Sequence, residues 1–391
     1  MFKLIRHGDV YNPEHIGRKD ILICNDKIIR IADSIDFSPA GLEVEVIDGS
    51  DFKVVPGFID QHVHITGGGG EGGPTTRTPD IRLSALTTAG ITTVVGLLGT
   101  DGVARSLEEL LAKARALEEE GISTYIYTGC YTLPFKTLTG SVQSDIILID
   151  KIIGVGEIAI SDHRSSYPDL NDLKKLAGHT RVGGLLANKA GIVHFHLGDG
   201  PEGIKPIVEI VKTSDIPIKQ FVPTHINRAK HLMEQSVEYI KMGGFVDLTC
   251  DIYPTEEWPD CMSIGDALHF YIQNGIPLDH VSASSDANGS APIFNDKGEL
   301  VSLGIGVAST LFKDVRDAIL ENIVSLEQGL SLITQNPAKI LKLYPRKGTI
   351  QEKSDADLLL LDEKLKIHTV FAKGNTMVQG FEAKVKAFFE K

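Results

Sequence analysis

Two histidines near residue 60 have the spacing of metal ligands. They follow an apolar run, in residues 60–64 (DQHVH), with a single valine between them. Alternate side chains of a β-strand project from the same face, so His62 and His64 would present both imidazoles on one side. Neutral imidazole is the commonest nitrogen ligand of zinc in proteins. By itself the motif is weak, because most such pairs are surface or core histidines.

Further candidate ligands stand where other apolar runs end. They are Glu157, His196, His225 and Asp286. With the first pair, they place four histidines and two carboxylates at the ends of five expected strands. Scattered core histidines would not show this arrangement, whereas two cations sharing ligands about 3.5–4 Å apart would require it. We therefore expect a metal site at one rim of the fold.

The elements that would position these residues alternate between strands and helices. Continuous apolar runs, typical of strands buried on both faces, occur at residues 54–59, 92–98, 124–128, 152–160, 192–197, 220–224, 245–249 and 281–284. Helix patterns lie between them, the clearest at residues 106–120 and 227–242. This alternation predicts an α/β fold with a (β/α)8 TIM-type barrel, whose functional residues lie at the carboxyl ends of the strands. A doubly wound open sheet is the alternative, but no G-x-G-x-x-G fingerprint follows a strand.

The two ends of the chain have a different pattern. Short β-rich pieces separated by Gly, Pro and Asp turns occupy residues 2–7, 21–24, 27–32, 43–47, 358–361, 368–372 and 376–378. We predict that both ends meet in one small β-sandwich. The domains would then be residues 1–56 plus 340–391 for the sandwich, and residues 57–339 for the barrel.

The composition argues against several classes of protein. The 391 residues carry a net charge of −13, which disfavours nucleic acid as a partner. The apolar stretches are far shorter than the roughly 20 residues that cross a bilayer, so no membrane is expected. Four cysteines without a C-x-x-C spacing suit a reducing compartment, and we expect a cytoplasmic protein.

Short motifs along nearly the whole chain indicate a known family. The broader set comprises residues 56–64 (PGFIDQHVH), 336–338 (NPA), 347–350 (KGTI) and 356–358 (ADL). The narrower set comprises residues 67–77 (GGGGEGGPTTR), 139–141 (TGS), 161–164 (SDHR), 196–199 (HLGD), 223–228 (PTHINR) and 285–290 (SDANGS). The first set resembles the metal-dependent amidohydrolase superfamily, and the second resembles its isoaspartyl (β-aspartyl) dipeptidases.

The resemblance implies a binuclear zinc centre in which a bridging hydroxide attacks the scissile amide carbonyl. His62, His64 and Asp286 would bind one cation, and His196 and His225 the other. Coordination lowers the pKa of bound water to near 7, so that hydroxide forms without a strong base.

Two residues would take part in the reaction itself. By resemblance, Asp286 would act as general base and then as general acid. Tyr131 would donate a hydrogen bond to the carbonyl oxygen as negative charge develops there. Without the resemblance, Asp286 could be read as a helix N-cap and Tyr131 as a packing residue.

The resemblance also implies a small dipeptide substrate with an α-ammonium and two carboxylates. Glu71 would bind the ammonium, and Arg164 and Arg228 the carboxylates, because guanidinium grips carboxylate with two bonds. Thr100 and Ser290 would donate lesser hydrogen bonds. His163 and His194 receive no role beyond structure. The family also implies a homo-oligomer.

One position departs from the family pattern. Where most members carry a carboxylated lysine that bridges the metals, this chain has Glu157, and no lysine occurs between Lys151 and Lys174. Glutamate supplies the same single negative charge but reaches on the order of 3–4 Å less. Our hypothesis is that Glu157 bridges two zinc ions, with the strand or the metals shifted to close the gap.

Two other functions remain open at this point. A cyclic-amide hydrolase of the dihydropyrimidinase or dihydroorotase type would use the same barrel. Glu71 with Arg164 and Arg228 favours a zwitterionic substrate over a neutral ring. A non-catalytic amidohydrolase-like scaffold is the other alternative, which the retained ligands disfavour. Fold alone could not decide among these functions.

Overall fold

Strands and helices alternate through the centre of the chain in the computed structural model, which describes residues 1–256, 258–295 and 297–390. The strands are β1 (Phe2–Tyr11), β2 (His15–Cys24), β3 (Lys27–Ala32), β4 (Val44–Asp48), β5 (Lys53–Pro56), β6 (Phe58–Val63), β7 (Ile91–Gly96), β8 (Ser123–Thr128), β9 (Ile152–Ile160), β10 (Ile192–Leu197), β11 (Phe221–Thr224), β12 (Val246–Thr249), β13 (Val281–Ser284), β14 (Ser290–Phe294), β15 (Leu300–Ile305), β16 (Leu358–Leu361), β17 (Ile367–Ala372), β18 (Asn375–Gln379) and β19 (Glu382–Ala383).

The α-helices are α1 (Leu83–Thr87), α2 (Leu107–Glu119), α3 (Val142–Leu148), α4 (Leu170–Ala187), α5 (Lys205–Thr213), α6 (Lys230–Lys241), α7 (Ile264–Gln273), α8 (Thr310–Leu320), α9 (Leu326–Ile333) and α10 (Gln335–Ile340). Short 3-10 helices lie at Pro74–Thr76, Ile218–Gln220, Ile226–Arg228 and Leu278–His280. No helix within the described ranges is long and apolar enough to span a bilayer.

The central strands form a parallel half-barrel. Strands β6 to β11 pair in chain order in one parallel sheet, and β12 pairs with β13, also in parallel. The β12–β13 pair lies between the two ends of this sheet, because β12 contacts β11 and β13 contacts β6. Strands β7, β9 and β10 are buried along their whole length, as their continuous apolar runs predict. The predicted α/β class is therefore confirmed.

The first apolar run does not form a single strand as predicted. It breaks at Gly57, so that β5 joins the sheet of the chain ends and β6 joins the half-barrel. A Cβ atom at Gly57 would lie 2.2 Å from the Thr92 side-chain oxygen, and the Gly57 amide donates to the Asp357 carbonyl at 2.8 Å. Close packing at this glycine therefore separates two strands that look continuous in the sequence.

The predicted helices are present with adjusted starts. Helix α2 begins after Ser106, whose hydroxyl accepts from the Glu109 amide, as expected of an N-cap. The helix predicted over residues 227–242 begins later, at Lys230. The buried Asn227 side chain instead donates to the carbonyls of Thr249 and Met262. These bonds hold residue 227 outside the helix.

The chain ends meet in one sheet. Its order is β19-β18-β17-β16-β5-β1-β2-β3, and β4 pairs with β1. Strand β5 runs antiparallel to β16 with Pro56 opposite Leu358, so the N-terminal and C-terminal pieces share hydrogen bonds. Ile5, Val54 and Phe371 belong to its apolar core. The meeting of the ends is as predicted, but a sandwich of two sheets is not confirmed.

A β-hairpin that the sequence patterns did not predict follows the last parallel strand. Strands β14 and β15 pair antiparallel directly after the segment that carries Asp286.

At the amino ends of the parallel strands, the Asn336 side chain donates to the carbonyls of Leu278 and Val281 at 2.8 and 2.7 Å. Helix α10 is thereby anchored against β13, away from the carboxyl ends.

Candidate active site

His62 and His64 face Asp286 across the carboxyl ends of β6 and β13. The Nε2 atom of His62 lies 3.4 Å from Oδ1 of Asp286, and Nε2 of His64 lies 3.1 Å from the same oxygen. All three side chains are buried or nearly so. The predicted grouping of these three residues therefore exists in the folded chain.

Glu157 lies at the centre of the four predicted histidine ligands. Its Oε2 atom is 3.5 Å from Nε2 of His62, 3.1 Å from Nδ1 of His196 and 3.5 Å from Nε2 of His225. Its Oε1 atom is 3.4 Å from Nε2 of His64. The shorter glutamate thus contacts the residues predicted for both cations.

Coupled charges set the protonation states at this cluster. Although burial opposes the shift, Glu157 and Asp286 raise the pKa of His62 well above its usual value, so a bound cation would displace the proton of this imidazole. Burial alone would raise the pKa of Glu157, but the facing imidazoles, above all His62, hold it well below its usual value. Burial would also raise the pKa of Asp286, but His62 and His64 lower it below its usual value. Burial, together with the charge of Arg228, lowers the pKa of His225 to about 3. Carboxylates that stay ionised and an imidazole that stays neutral can donate electron pairs to a cation.

The donor set fits divalent cations. Among the residues that the structure describes, ligand atoms within 4.8 Å of one another form the groups His62–His64–Asp286 and His62–Glu157–His225. Nε2 of His62 and Oδ1 of Asp286 are buried without a hydrogen-bond partner. Unpartnered buried polar atoms are costly, and a cation between them would satisfy both. His196 is outside these groups, although its Nδ1 atom faces Glu157.

Two candidate ligands have the ring nitrogen that faces away from the cluster held by a neighbouring residue. Nδ1 of His62 lies 2.9 Å from Nε2 of His194, and Nδ1 of His225 lies 2.7 Å from the Thr249 hydroxyl. Such contacts orient imidazole rings so that the other nitrogen points at the metal. His194, expected to be structural, is fully buried against His62. Its position two residues before His196, on one strand face, was the available signal.

The backbone at two of the candidate ligands adopts an unusual conformation. His225 has φ 62° and Asp286 has φ 50°, both in the left-handed region. Non-glycine residues are uncommon there and carry a cost of about 1–3 kcal/mol. The surrounding strands therefore hold these residues in place against a local preference.

Asp162 is a site residue to which sequence reasoning assigned no role. Its Oδ2 atom lies 2.9 Å from Nε2 of His196 and accepts from Nη2 of Arg164 at 2.7 Å, while Oδ1 accepts from Nε of Arg164 at 2.9 Å. One carboxylate thus contacts a candidate ligand and a candidate substrate-binding arginine. The SDHR motif contains this aspartate, so the residue was visible but its contacts were not.

Tyr131 lies beside the cluster with its hydroxyl 2.8 Å from Nδ1 of His196. Burial, with a further contribution from Glu157, raises its pKa well above the usual value. The side chain therefore remains a hydroxyl that can donate a hydrogen bond at neutral pH. Its ring lies 5.4 Å from the Arg164 guanidinium, which contributes a cation–π contact.

The predicted ammonium-binding residue lies beside a predicted carboxylate-binding residue. Glu71 accepts hydrogen bonds from Thr100 at 2.9 Å and from Ser290 at 2.9 Å, and Nη1 of Arg164 lies 3.6 Å from its Oε1 atom. Thr100 and Ser290, predicted to bond the substrate, here hold the Glu71 carboxylate. The structure therefore brings these four residues together beside the histidine cluster.

A cavity of about 570 Å³ opens next to this group. Arg164, Arg228, Asp286 and Ser290 line it, with most of the β14–β15 hairpin. Arg228 donates to the Leu197 carbonyl at 3.0 Å and lies within 2.9 Å of Nε2 of His196. The volume lies in the range of small-molecule sites.

A buried aspartate below the cluster joins four strands. Asp247 on β12 accepts from Gln61 at 2.7 Å, from Thr224 at 2.7 Å, from Ser282 at 2.6 Å and from Ser284 at 2.5 Å. Gln61 and Thr224 directly precede a candidate metal ligand in the sequence, and Ser284 lies two positions before another. Asp247 therefore holds together the strand ends β6, β11 and β13, where the ladder of the parallel sheet is interrupted.

Comparison with known proteins agrees with the geometry of the site. The chain is 44% identical to a β-aspartyl dipeptidase from Fervidobacterium islandicum AW-1, solved in complex with the β-Asp-Leu dipeptide. The match covers 98% of this chain and 99% of that one, with a TM-score of 0.91. The chain belongs to the β-aspartyl dipeptidase family of amidohydrolases. Members of this family are metal-dependent hydrolases, and so is this chain.

More distant similarities are to the amidohydrolase family model, to a dihydroorotase and to a structure of the same fold. The model of the amidohydrolase family matches residues 265–380. A dihydroorotase from Elusimicrobium minutum (strain Pei191) is 24% identical, over 92% of this chain and 88% of its own length. The dihydropyrimidinase structure from Brevibacillus agri NCHU1002 is 16% identical with a TM-score of 0.67, covering 99% of this chain and 97% of its own, and shows a shared fold only.

Proposed function

We propose that this chain is a binuclear zinc dipeptidase that hydrolyses the isopeptide bond of β-aspartyl dipeptides. The substrate would be a small zwitterion with one ammonium and two carboxylates. His62, His64 and Asp286 would hold one zinc ion, His196 and His225 the other, and Glu157 would lie between them. The relative that binds β-Asp-Leu supports this substrate class.

The observation that carries the proposal is the charge pattern beside the metal ligands. Glu71 lies 3.6 Å from Arg164, and Arg228 lines the same cavity as Arg164. A carboxylate beside one guanidinium, with a second guanidinium lining the adjoining cavity, complements an ammonium flanked by carboxylates. A dihydropyrimidine ring has no ammonium for Glu71, so such a substrate would make no use of this carboxylate.

The chain's own residues would serve each step of the hydrolysis. Bound zinc would supply Lewis acidity and an activated water. Asp286, ionised in the resting site, would accept the proton of that water and pass it to the leaving amine. The Tyr131 hydroxyl would donate to the carbonyl oxygen, a contact that strengthens as negative charge develops. Arg164 and Arg228 would fix the carboxylates, so that the scissile bond is held in place.

The test is turnover by the purified chain, with metal measured by elemental analysis on the same sample. We expect hydrolysis of β-Asp-Leu, none of α-Asp-Leu, and close to two zinc ions per chain. Turnover of dihydroorotate or dihydrouracil without turnover of β-Asp-Leu would instead establish the cyclic-amide hydrolase. One cation or none, without turnover of any of these compounds, would contradict the proposed centre.

Three broader properties belong to the proposal as well. We expect two domains, residues 1–56 plus 340–391 and residues 57–339, which limited proteolysis would separate. We expect a homo-oligomer, whose mass light scattering would give. The four cysteines are unpaired in the structure, which suits a cytoplasmic location.

A further inference from the structure

Arg105 is a buried arginine whose guanidinium bonds only to backbone carbonyls within the described part of the chain. Nη1 donates to the Thr66 carbonyl, and Nη2 donates to the carbonyls of Gly68 at 3.1 Å and Thr78 at 2.7 Å. The residue is 5% exposed, and Glu109, Asp101 and Asp80 attract its charge from a distance, without an ion pair among the described residues. A buried charge without a carboxylate partner is uncommon, so these carbonyls are its main compensation.

The three carbonyls belong to both ends of the glycine-rich loop. Thr66 and Gly68 lie where the chain enters residues 67–77, and Thr78 lies where it leaves. The Thr78 amide also donates to the Gly68 carbonyl at 3.0 Å, and the Gly68 amide donates to the Thr78 hydroxyl at 2.6 Å. The guanidinium therefore holds the two ends of the loop against each other.

The loop carries Glu71 in its middle, and its first residue packs closely against this guanidinium. Gly67 has φ 77°, and a Cβ atom there would lie 2.3 Å from the Thr78 carbonyl oxygen and 2.9 Å from Nη2 of Arg105. The chain thus approaches the guanidinium as closely as a glycine allows. Farther along, Glu71 extends from the loop to the hydroxyls of Thr100 and Ser290.

We propose that Arg105 is a positioning residue for ammonium recognition: it clamps the ends of the 67–77 loop, so that Glu71 is held ready for the α-ammonium of the substrate. This inference rests on the proposed dipeptidase function. Lysine could not replace it fully, because a single ammonium nitrogen cannot span carbonyls that a planar guanidinium bonds through two nitrogens.

The experiment compares two ligands that differ only in the ammonium. N-succinyl-L-leucine is β-Asp-Leu without its α-amino group, so its binding does not use Glu71. In Arg105→Met we expect the KM for β-Asp-Leu to rise about tenfold, while the inhibition constant of N-succinyl-L-leucine changes by less than about twofold. Arg105→Lys should fold more readily and give an intermediate rise in KM. Arg115→Met, on the exposed side of α2, is the matched control and should leave both constants unchanged.

Two further measurements make the result decisive. Hydrogen exchange at the Gly68 and Thr78 amides should accelerate in both Arg105 variants, and bound metal should remain as in the wild type. Equal shifts for both ligands, unchanged KM and exchange, or loss of metal would each overturn the proposal. If the wild type does not hydrolyse β-Asp-Leu, the proposed function fails, and hydrogen exchange alone still decides whether Arg105 clamps the loop.

Discussion

Glu157 is the residue around which the four candidate histidine ligands converge. Its two oxygens lie 3.1–3.5 Å from nitrogen atoms of four imidazoles, which lie on β6, just after β6, on β10 and just after β11. A carboxylate in this position has the charge and the two oxygens that a bridge between cations requires. The four rings converge around the glutamate, which would compensate for the reach that it lacks relative to a carboxylated lysine.

Replacing Glu157 by glutamine tests this role directly. Glu157→Gln keeps the shape and removes the charge, so we expect bound metal to fall from two ions per chain to one or none. The kcat for β-Asp-Leu should fall by about 10²-fold or more. Elemental analysis after dialysis and steady-state kinetics measure both, with the exposed Glu238→Gln as control. Two retained ions with unchanged turnover would contradict the bridge.

The Tyr131 hydroxyl gives a second prediction for one residue. Tyr131→Phe removes only the donor that lies 2.8 Å from His196 and leaves the ring in place. We expect kcat to fall by about 10²-fold with little change in KM, because the bond forms mainly in the transition state. Metal content should stay as in the wild type. A rise in KM at constant kcat would instead assign the hydroxyl to ground-state binding.

Among the elements, α2 joins the half-barrel to the sheet of the chain ends. Its Glu118 accepts from Lys151, just before β9, at 2.7 Å and from Lys373, between β17 and β18, at 2.7 Å. The Thr124 amide at the start of β8 also donates to it, at 2.9 Å. Burial alone would raise the pKa of Glu118, but the two lysines hold it at about 2, below the usual 4.5.

The ion pairs of Glu118 predict a pH-dependent contribution to the stability of the fold. Since the pKa of Glu118 is lowered on folding, its stabilisation is present above about pH 4.5 and is lost as the pH falls towards about 2. We expect Glu118→Gln to reduce the free energy of unfolding by about 1–2 kcal/mol at pH 7, and by progressively less at pH 4 and pH 3. Urea denaturation of both proteins measures the difference, and a constant difference would refute the linkage.

At the scale of the whole molecule, a buried ion cluster joins the C-terminal pieces to the N-terminal ones. Lys347 bonds Asp355 at 2.8 Å and Asp357 at 2.5 Å, and Lys27 on β3 also pairs with Asp355. The Asp357 carbonyl accepts from the amide of Gly57, where the half-barrel begins. The cluster therefore lies at the junction of the terminal sheet and the half-barrel.

Removing the central lysine should destabilise the whole chain. Lys347→Met leaves the buried Asp357 carboxylate without a cation and Asp355 with Lys27 alone, at a cost of about 3–5 kcal/mol. Thermal unfolding should show a lower Tm for the entire transition, whereas Lys364→Met, on an exposed turn, should leave the Tm near that of the wild type. A Tm for Lys347→Met equal to that of the control would show that the cluster contributes little.

The sequence by itself determined the strand order, the ligand types and the class of chemistry. These are local patterns: His62 and His64 alternate along a strand, and β9, β10 and β13 coincide with apolar runs of the same length. The family resemblance placed Glu71 and Arg164 among the candidate residues. Family motifs then favoured one reaction class over other users of the same fold.

Only the tertiary structure decided how those residues meet. Glu157 among four imidazoles, Asp162 on His196, and Arg105 under the glycine loop are contacts between residues far apart in the chain. No local pattern encodes such contacts, since they depend on how the strands twist and close. The break at Gly57 likewise follows from Thr92, which lies on the neighbouring strand. Sequence patterns therefore predict which groups are present, and packing determines which of them act together.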